Sequence, residues 1–178
     1  MSVGITIHFE GQLRGHEQYV ALVREAKAFA TTRGWSVRVI DEHEMKRNRT
    51  VDERDVEYIG PVFGIELQPH PNSEPLRLEF DKHFFIQQYC KTQFAGSDAH
   101  IEIIQLLREL THLFYNLDVI DEGEYWELDD RSILQGNFDS VEAMIDEILR
   151  KDPTARGPIR FETGRIADVT SDRRADGE

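Results

Sequence analysis

The chain has 178 residues, and 21 Lys plus Arg against 34 Asp plus Glu give a formal net charge of −13. That balance excludes non-specific binding to a nucleic-acid backbone, which needs clustered cations. The single cysteine, Cys90, excludes an intrachain disulfide and a metal centre built from cysteines alone. With 39% hydrophobic residues the chain can build a packed core, and its length fits one domain.

Ile5, Ile7 and Phe9 alternate with Thr6, His8 and Glu10, which predicts a half-buried strand ending at Gly11. Tyr19, Val20, Leu22, Val23, Ala26, Phe29 and Ala30 then recur at helical spacing, so a helix is expected over about 16–32, closed by Gly34. Trp35, Val37 and Val39 open a second strand that runs into Asp41-Glu42-His43-Glu44. The charged, weakly periodic stretch 45–58 reads as a mobile surface loop. Val62–Leu67 reads as a strand. Three prolines within Gln68–Pro75 force a turn, and Leu76–Asp81 alternates cleanly to complete a hairpin.

Residues 84–96, rich in aromatic side chains, predict a short helix or an irregular packed loop. Ser97 or Asp98 is placed to cap a helix whose apolar face is Ile103, Ile104, Leu106, Leu107, Leu110, Leu113 and Phe114. Leu117 and Val119 begin a strand expected to continue through Tyr125-Trp126. Asp139 with Glu142 resembles a capping box and opens a last helix with Val141, Met144, Ile145, Ile148 and Leu149 inward. Pro158–Phe161 reads as an edge strand, and the final ten residues as disordered.

Two segments resemble each other. Val39-Ile40-Asp41-Glu42-His43-Glu44 matches Val119-Ile120-Asp121-Glu122-Gly123-Glu124 at an offset of 80, and the preceding helices match at an offset of 84. The expected fold is therefore α+β and ferredoxin-like (split βαβ), with duplicated strand–helix–strand units at about 4–44 and 76–128. It has a mainly antiparallel sheet, helices on one face, an extra hairpin strand and a C-terminal helix. Residues 1–150 form the duplicated domain, and 151–178 a C-terminal extension.

Chemistry is sparse. Residues 116–130 hold seven acids and no Lys or Arg. Within them Asp121, Glu122, Glu124, Tyr125 and Trp126 are the candidate partner-binding residues, because crowded like charge raises the local potential and an adjacent aromatic adds desolvated contact. Parallel strands of one unit would bring Glu10 near Asp41, Glu42 and Glu44, with His43 among them as the best histidine ligand, and Asp81 near Asp121, Glu122 and Glu124. The first group is the candidate cation site, since carboxylates are hard oxygen ligands. No H-E-x-x-H, Walker A, G-x-G-x-x-G or G-x-S-x-G pattern occurs. Cys90 lies among aromatics, as a small hydrophobe does.

No cofactor is predicted, with a divalent cation as the alternative. No run of 18 apolar residues suggests a membrane span, and no basic region precedes an apolar run at the N-terminus; a cytoplasmic protein is expected. The favoured function is a non-catalytic protein-binding module, of immunity or inhibitor type, that takes a basic protein partner. The alternatives are a self-associating, homodimeric structural domain and a divalent-cation-dependent enzyme or sensor.

Overall fold

The structure is a computed structural model that describes residues 3–171. It is a mixed α+β protein with antiparallel sheets and four helices. In β1 (Thr6–Leu13) the alternation works as read: Ile7, Phe9 and Leu13 are buried while His8 is exposed. β1 is central, antiparallel to both β5 (Phe85–Lys91) and β6 (Phe114–Asp121). β5 and β6 therefore run parallel to each other with β1 between them. A second sheet has the order β2–β3–β4, formed by Ser36–Val51, Arg54–Gln68 and Leu76–Asp81. Ile159–Arg160 (β7) and Ile166–Ala167 (β8) pair as a short ribbon.

Both larger sheets share one core with α1 (His16–Thr32) and α2 (Ser97–Leu110). Leu22, Ala26, Phe29 and Ala30 of α1 and Ile103, Ile104, Leu106, Leu107 and Leu110 of α2 meet Ile65, Leu67, Leu76, Leu78, Phe80, Ile86 and Cys90 of the strands. Of the expected core residues Leu22, Phe29, Leu106, Leu107, Leu110 and Phe114 are buried, and Val23 is partly so.

Five local readings are corrected. Residues 45–58 are not a loop but the outer halves of β2 and β3, which close at a two-residue turn where Asp52 (φ 48°) and Glu53 (φ 61°) are both left-handed. That is the turn geometry two-residue hairpins favour, made without the Asn-Gly or Asp-Gly that signals it. Residues 85–91 are the strand β5, not a helix or loop. The strand ending at Asp121 does not reach Tyr125-Trp126, which sit in the one-turn helix α3 (Tyr125–Leu128). The last helix, α4 (Arg131–Lys151), starts eight residues before Asp139. Its cap is Asp130, which accepts the N–H groups of Ser132 and Ile133 at 2.8 and 3.2 Å. At α2 the cap position is Gly96, with no side-chain cap.

The strand–helix–strand passages are thus β1–α1–β2 and β5–α2–β6. The strand entering α2 is 85–91 rather than 76–81, and the matched segments 39–44 and 119–124 differ in setting: one lies inside β2, the other leaves β6 for α3. Of the ten C-terminal residues expected to be disordered, Val169–Ser171 are described: Val169 is buried, Thr170 pairs with Arg156 and Ser171 donates to Asp152; the rest of that call lies outside the described residues.

A bulge between Glu42 and Met45 bends the β2–β3 hairpin, and its outer half lies across the sheet face opposite the helices. Arg47 donates to both oxygens of Glu79 at 2.7 and 3.0 Å, and Arg49 meets Asp81 at 2.5 Å with both side chains buried. Thr50 exchanges hydrogen bonds with the Gln87 side chain: its N–H donates to Oε1 and its carbonyl accepts from Nε2. Glu79 and Asp81 of β4 are consequently as buried as the leucines they alternate with.

Replacing Leu107, only 1% exposed at the centre of this core, with Ala is expected to destabilise the protein by about 2–5 kcal/mol. Urea denaturation measures this, and an unchanged midpoint would place the core elsewhere.

Candidate functional site

The folded-over arm leaves one sheet face uncovered. On β1, β5 and β6 the residues alternating with the core point away from the helices and form the floor of an open groove of about 700 Å³. Its rows follow the strand register: Gln87, Glu10 and Asp118 across one, and Tyr89, His8 and Ile120 across the next. Glu122 continues β6 by one residue, its N–H donating to the Thr6 carbonyl at 3.2 Å. Asn48 and Thr50 of the arm wall the groove on the β5 side. A second cavity of about 610 Å³ adjoins it over His8, Tyr89 and Glu122, walled by Phe161, Arg165 and Ile166.

That second wall is the C-terminal segment, fixed by a buried polar network. Glu74 accepts the N–H groups of Lys91 and Ile166 at 3.0 and 2.8 Å and the Arg165 guanidinium at 3.1 Å. Lys91 donates to Asp168 at 2.7 Å, and the same Asp168 oxygen accepts from the N–H of Val3 and Gly4. Arg165 lies 3.8 Å above the Tyr89 ring. These bonds tether residues 165–168 to β5, to the turn before β4 and to the start of the described chain.

The electrostatics are one-sided in the larger cavity, whereas Lys91 and Arg165 line the adjoining one beside Glu122. The residues lining the larger cavity include the carboxylates of Glu10, Asp118 and Glu122 and no Lys or Arg. Glu10 and Asp118 are direct cross-strand neighbours, an arrangement that costs stability because like charges face each other. Glu10 accepts from the Gln87 amide at 2.5 Å, Asp118 from the Asn116 amide at 3.2 Å, and Glu122 from the Thr6 N–H at 2.8 Å. The His8 ring lies 3.4 Å from Glu122 and 5.9 Å from the Tyr89 ring. Ile120, 69% exposed, and Tyr89, 41% exposed, add apolar surface to the same floor.

The five residues singled out in the acidic turn are not brought onto one surface. Glu122 faces the groove. Asp121 points inward instead: its buried carboxylate lies 3.0 Å from His100 and accepts the N–H groups of Gly123 at 2.7 Å and Trp126 at 2.9 Å. Burial pushes the Asp121 pKa up, but the His100 hydrogen bond and charge and the two N–H donors outweigh it and hold it below its ordinary value. His100 is fully buried, and its other ring nitrogen lies 2.8 Å from the Thr92 hydroxyl. Glu124 is exposed and accepts from the Asn137 amide at 2.9 Å. Tyr125 and Trp126 are half-buried beneath Arg108, whose guanidinium lies 5.5 and 5.8 Å from their rings and donates to both their carbonyls.

The candidate cation ligands Glu10, Asp41, His43 and Glu44 are separated. Glu10 lies between Gln87 and Asp118 in one sheet, while the other three belong to β2 in the other sheet. Asp81 and Asp121 also fall at opposite ends of their sheets: Asp81 precedes β5 near Gln12, and Asp121 pairs with Ile7. Among the described residues no group of three or more His, Cys, Asp or Glu side chains is placed to hold a metal ion. The Cys90 thiol is fully buried, donates to the Glu74 carbonyl at 3.2 Å, and has its pKa pushed up chiefly by burial. A buried thiol of that kind is inert as a nucleophile.

Sequence reasoning missed Tyr89, Asn48 and Thr50, because it gave their segments no strand. Alternation did place His8 and Glu10 on an outward face. No protein-family model, curated protein or solved structure matches the chain. No helix among the described residues is long and apolar enough to cross a membrane.

Asp121 makes a pH prediction with a definite sign. Its folded pKa lies below the ordinary 3.8, so its stabilisation is complete above that value and is lost as the pH falls through the lowered one. Asp121→Asn is expected to lower stability at neutral pH and to flatten the fall in stability on acidification below about pH 4. Denaturation midpoints across that range measure both effects; a slope equal to the wild type's would show that Asp121 does not contribute.

Proposed function

We propose that the protein is a non-catalytic module that binds a basic protein partner on the open face of the β5–β1–β6 sheet. The observation that carries this reading is the floor itself: Glu10, Asp118 and Glu122 with no Lys or Arg beside them in the larger cavity, next to exposed Ile120 and Tyr89. A cationic partner offsets the repulsion between Glu10 and Asp118, and the apolar surface supplies desolvated contact. An immunity or inhibitor type of action, in which the module masks a basic surface, fits this chemistry, and so does a cytoplasmic setting. The partner surface takes Glu122 from the acidic turn; Glu124, Tyr125 and Trp126 flank it, with the two rings already engaged by Arg108.

The finer fold reading, a duplicated ferredoxin-like arrangement, is also a proposal. It is supported by β5–α2–β6, whose two strands straddle β1 as those of a split βαβ unit do. The first passage, β1–α1–β2, has its strands in different sheets.

Affinity capture at low and high salt tests the function. It compares the wild type, a Glu10→Gln/Asp118→Asn/Glu122→Gln variant, and a charge control, Glu142→Gln/Asp146→Asn/Glu147→Gln on α4. A basic protein held by the wild type and the control, weakened by salt and lost from the first variant, is the expected result. A partner retained equally by both variants, or a homodimer that covers Asp118 and Ile120, would overturn it.

A further inference from the structure

The floor has a repeat that a partner must match. Asp118, Ile120 and Glu122 follow one another at two-residue intervals on the same face, with Glu10 beside Asp118 and His8 beside Ile120. Along a strand, four residues span roughly 13 Å. The face therefore presents an anionic spot, an apolar spot about 7 Å on, and a second anionic spot about 7 Å beyond that. The arm and the C-terminal segment wall this track on the β5 side, while the β6 side lies open.

We infer that the groove takes an extended segment of the partner with the pattern basic–x–apolar–x–basic, laid over β1 and β6. This rests on the reading above that the face binds a basic protein. In an extended segment, side chains at i, i+2 and i+4 point to one side, with the same spacing as the floor. The first cation sits between Glu10 and Asp118, the apolar side chain covers Ile120 against Tyr89, and the second cation meets Glu122. Because the pattern is symmetric, the segment fits in either direction.

The wall favours an extended chain over a helix. Asn48 faces the groove with an amide that both donates and accepts. An extended main chain leaves N–H and C=O groups that need such a partner, whereas a helix bonds its own internally. The hydrophobic spot also sets a limit on composition. An unpatterned polycation would place a charge over Ile120 and lose the apolar contact, so bulk positive charge alone is a poorer fit than the alternating pattern.

The test uses a synthetic peptide, acetyl-Gly-Arg-Thr-Val-Thr-Arg-Gly-amide, and a scrambled one of the same composition, acetyl-Gly-Val-Arg-Arg-Thr-Thr-Gly-amide. Amide chemical shifts of the full chain locate binding, and fluorescence anisotropy of labelled peptides measures it. The patterned peptide is expected to shift residues 6–10, 87–91 and 117–122 and to bind about five- to tenfold more tightly than the scrambled one. Glu10→Gln/Asp118→Asn should remove most of that preference, and the α4 pair Glu142→Gln/Asp146→Asn should leave it intact. Equal binding of both peptides at this face, weakened by Glu10→Gln/Asp118→Asn, would overturn the pattern and leave the basic-partner reading standing. Shifts confined to other surfaces, or equal losses from both variants, would overturn the two together.

Discussion

Two arginine–carboxylate pairs, Arg47 with Glu79 and Arg49 with Asp81, decide what kind of surface this protein has. They draw the outer half of the β2–β3 hairpin across the face of β4 and bury the charges that alternate with the core-facing leucines. Burial pushes the Glu79 pKa up, yet the Arg47 hydrogen bond and the charges of Arg47, Arg77 and Arg49 bring it below the ordinary range, so the pair is ionised at neutral pH. Such pairs add little net stability, because desolvation cancels much of their attraction. Their effect is geometric: a bidentate guanidinium fixes an orientation that apolar contact leaves loose. With the arm fixed, β4 is covered on both faces, and the β5–β1–β6 sheet is covered by helices on one side and walled along its edge on the other.

The proposed function rests on what that arrangement leaves exposed. A sheet face that carries facing carboxylates and an exposed isoleucine does not serve folding, since the like charges repel and the isoleucine stays wet. The second wall has the same character as the first. The C-terminal segment is tied down by Glu74, Lys91, Arg165 and Asp168 in addition to the small apolar cluster of Val169, Ala155 and Ile145, and its Arg165 lies over the Tyr89 ring at the groove. Charge fixes the walls, and the carboxylates of Glu10, Asp118 and Glu122 line the floor between them.

The core and the helices were legible in the sequence because their signal is local. Leu22, Phe29, Leu106, Leu107 and Leu110 repeat at helical spacing and are buried. The hairpin arm was not legible. Its apolar residues, Met45, Val51, Val56, Tyr58 and Ile59, are scattered among charged and polar ones, since one face meets Glu79 and Asp81 and the other meets water, and Asp52-Glu53 turns without glycine. Charged side chains that bury by pairing look in a sequence like charged side chains in solvent. β5 was hidden for a related reason: Gln87 and Gln88 break its apolar alternation because they bond Thr50, Glu10 and Arg165. The acidic turn stood out by composition, but composition does not show direction. Asp121 turned inward to His100 and two backbone N–H groups, while its neighbour Glu122 reached the groove.

The account depends most on the arm being held by its two arginines. Hydrogen exchange resolved by residue, in the wild type and in an Arg47→Ala/Arg49→Ala variant, measures this directly. An isolated two-stranded hairpin is marginal in water, so a released arm exchanges fast. The account predicts slow exchange over residues 45–60 in the wild type and fast exchange there in the variant, with α1 and α2 still protected. Unchanged protection of the arm, or an equal loss of protection in α1 and α2, would contradict it.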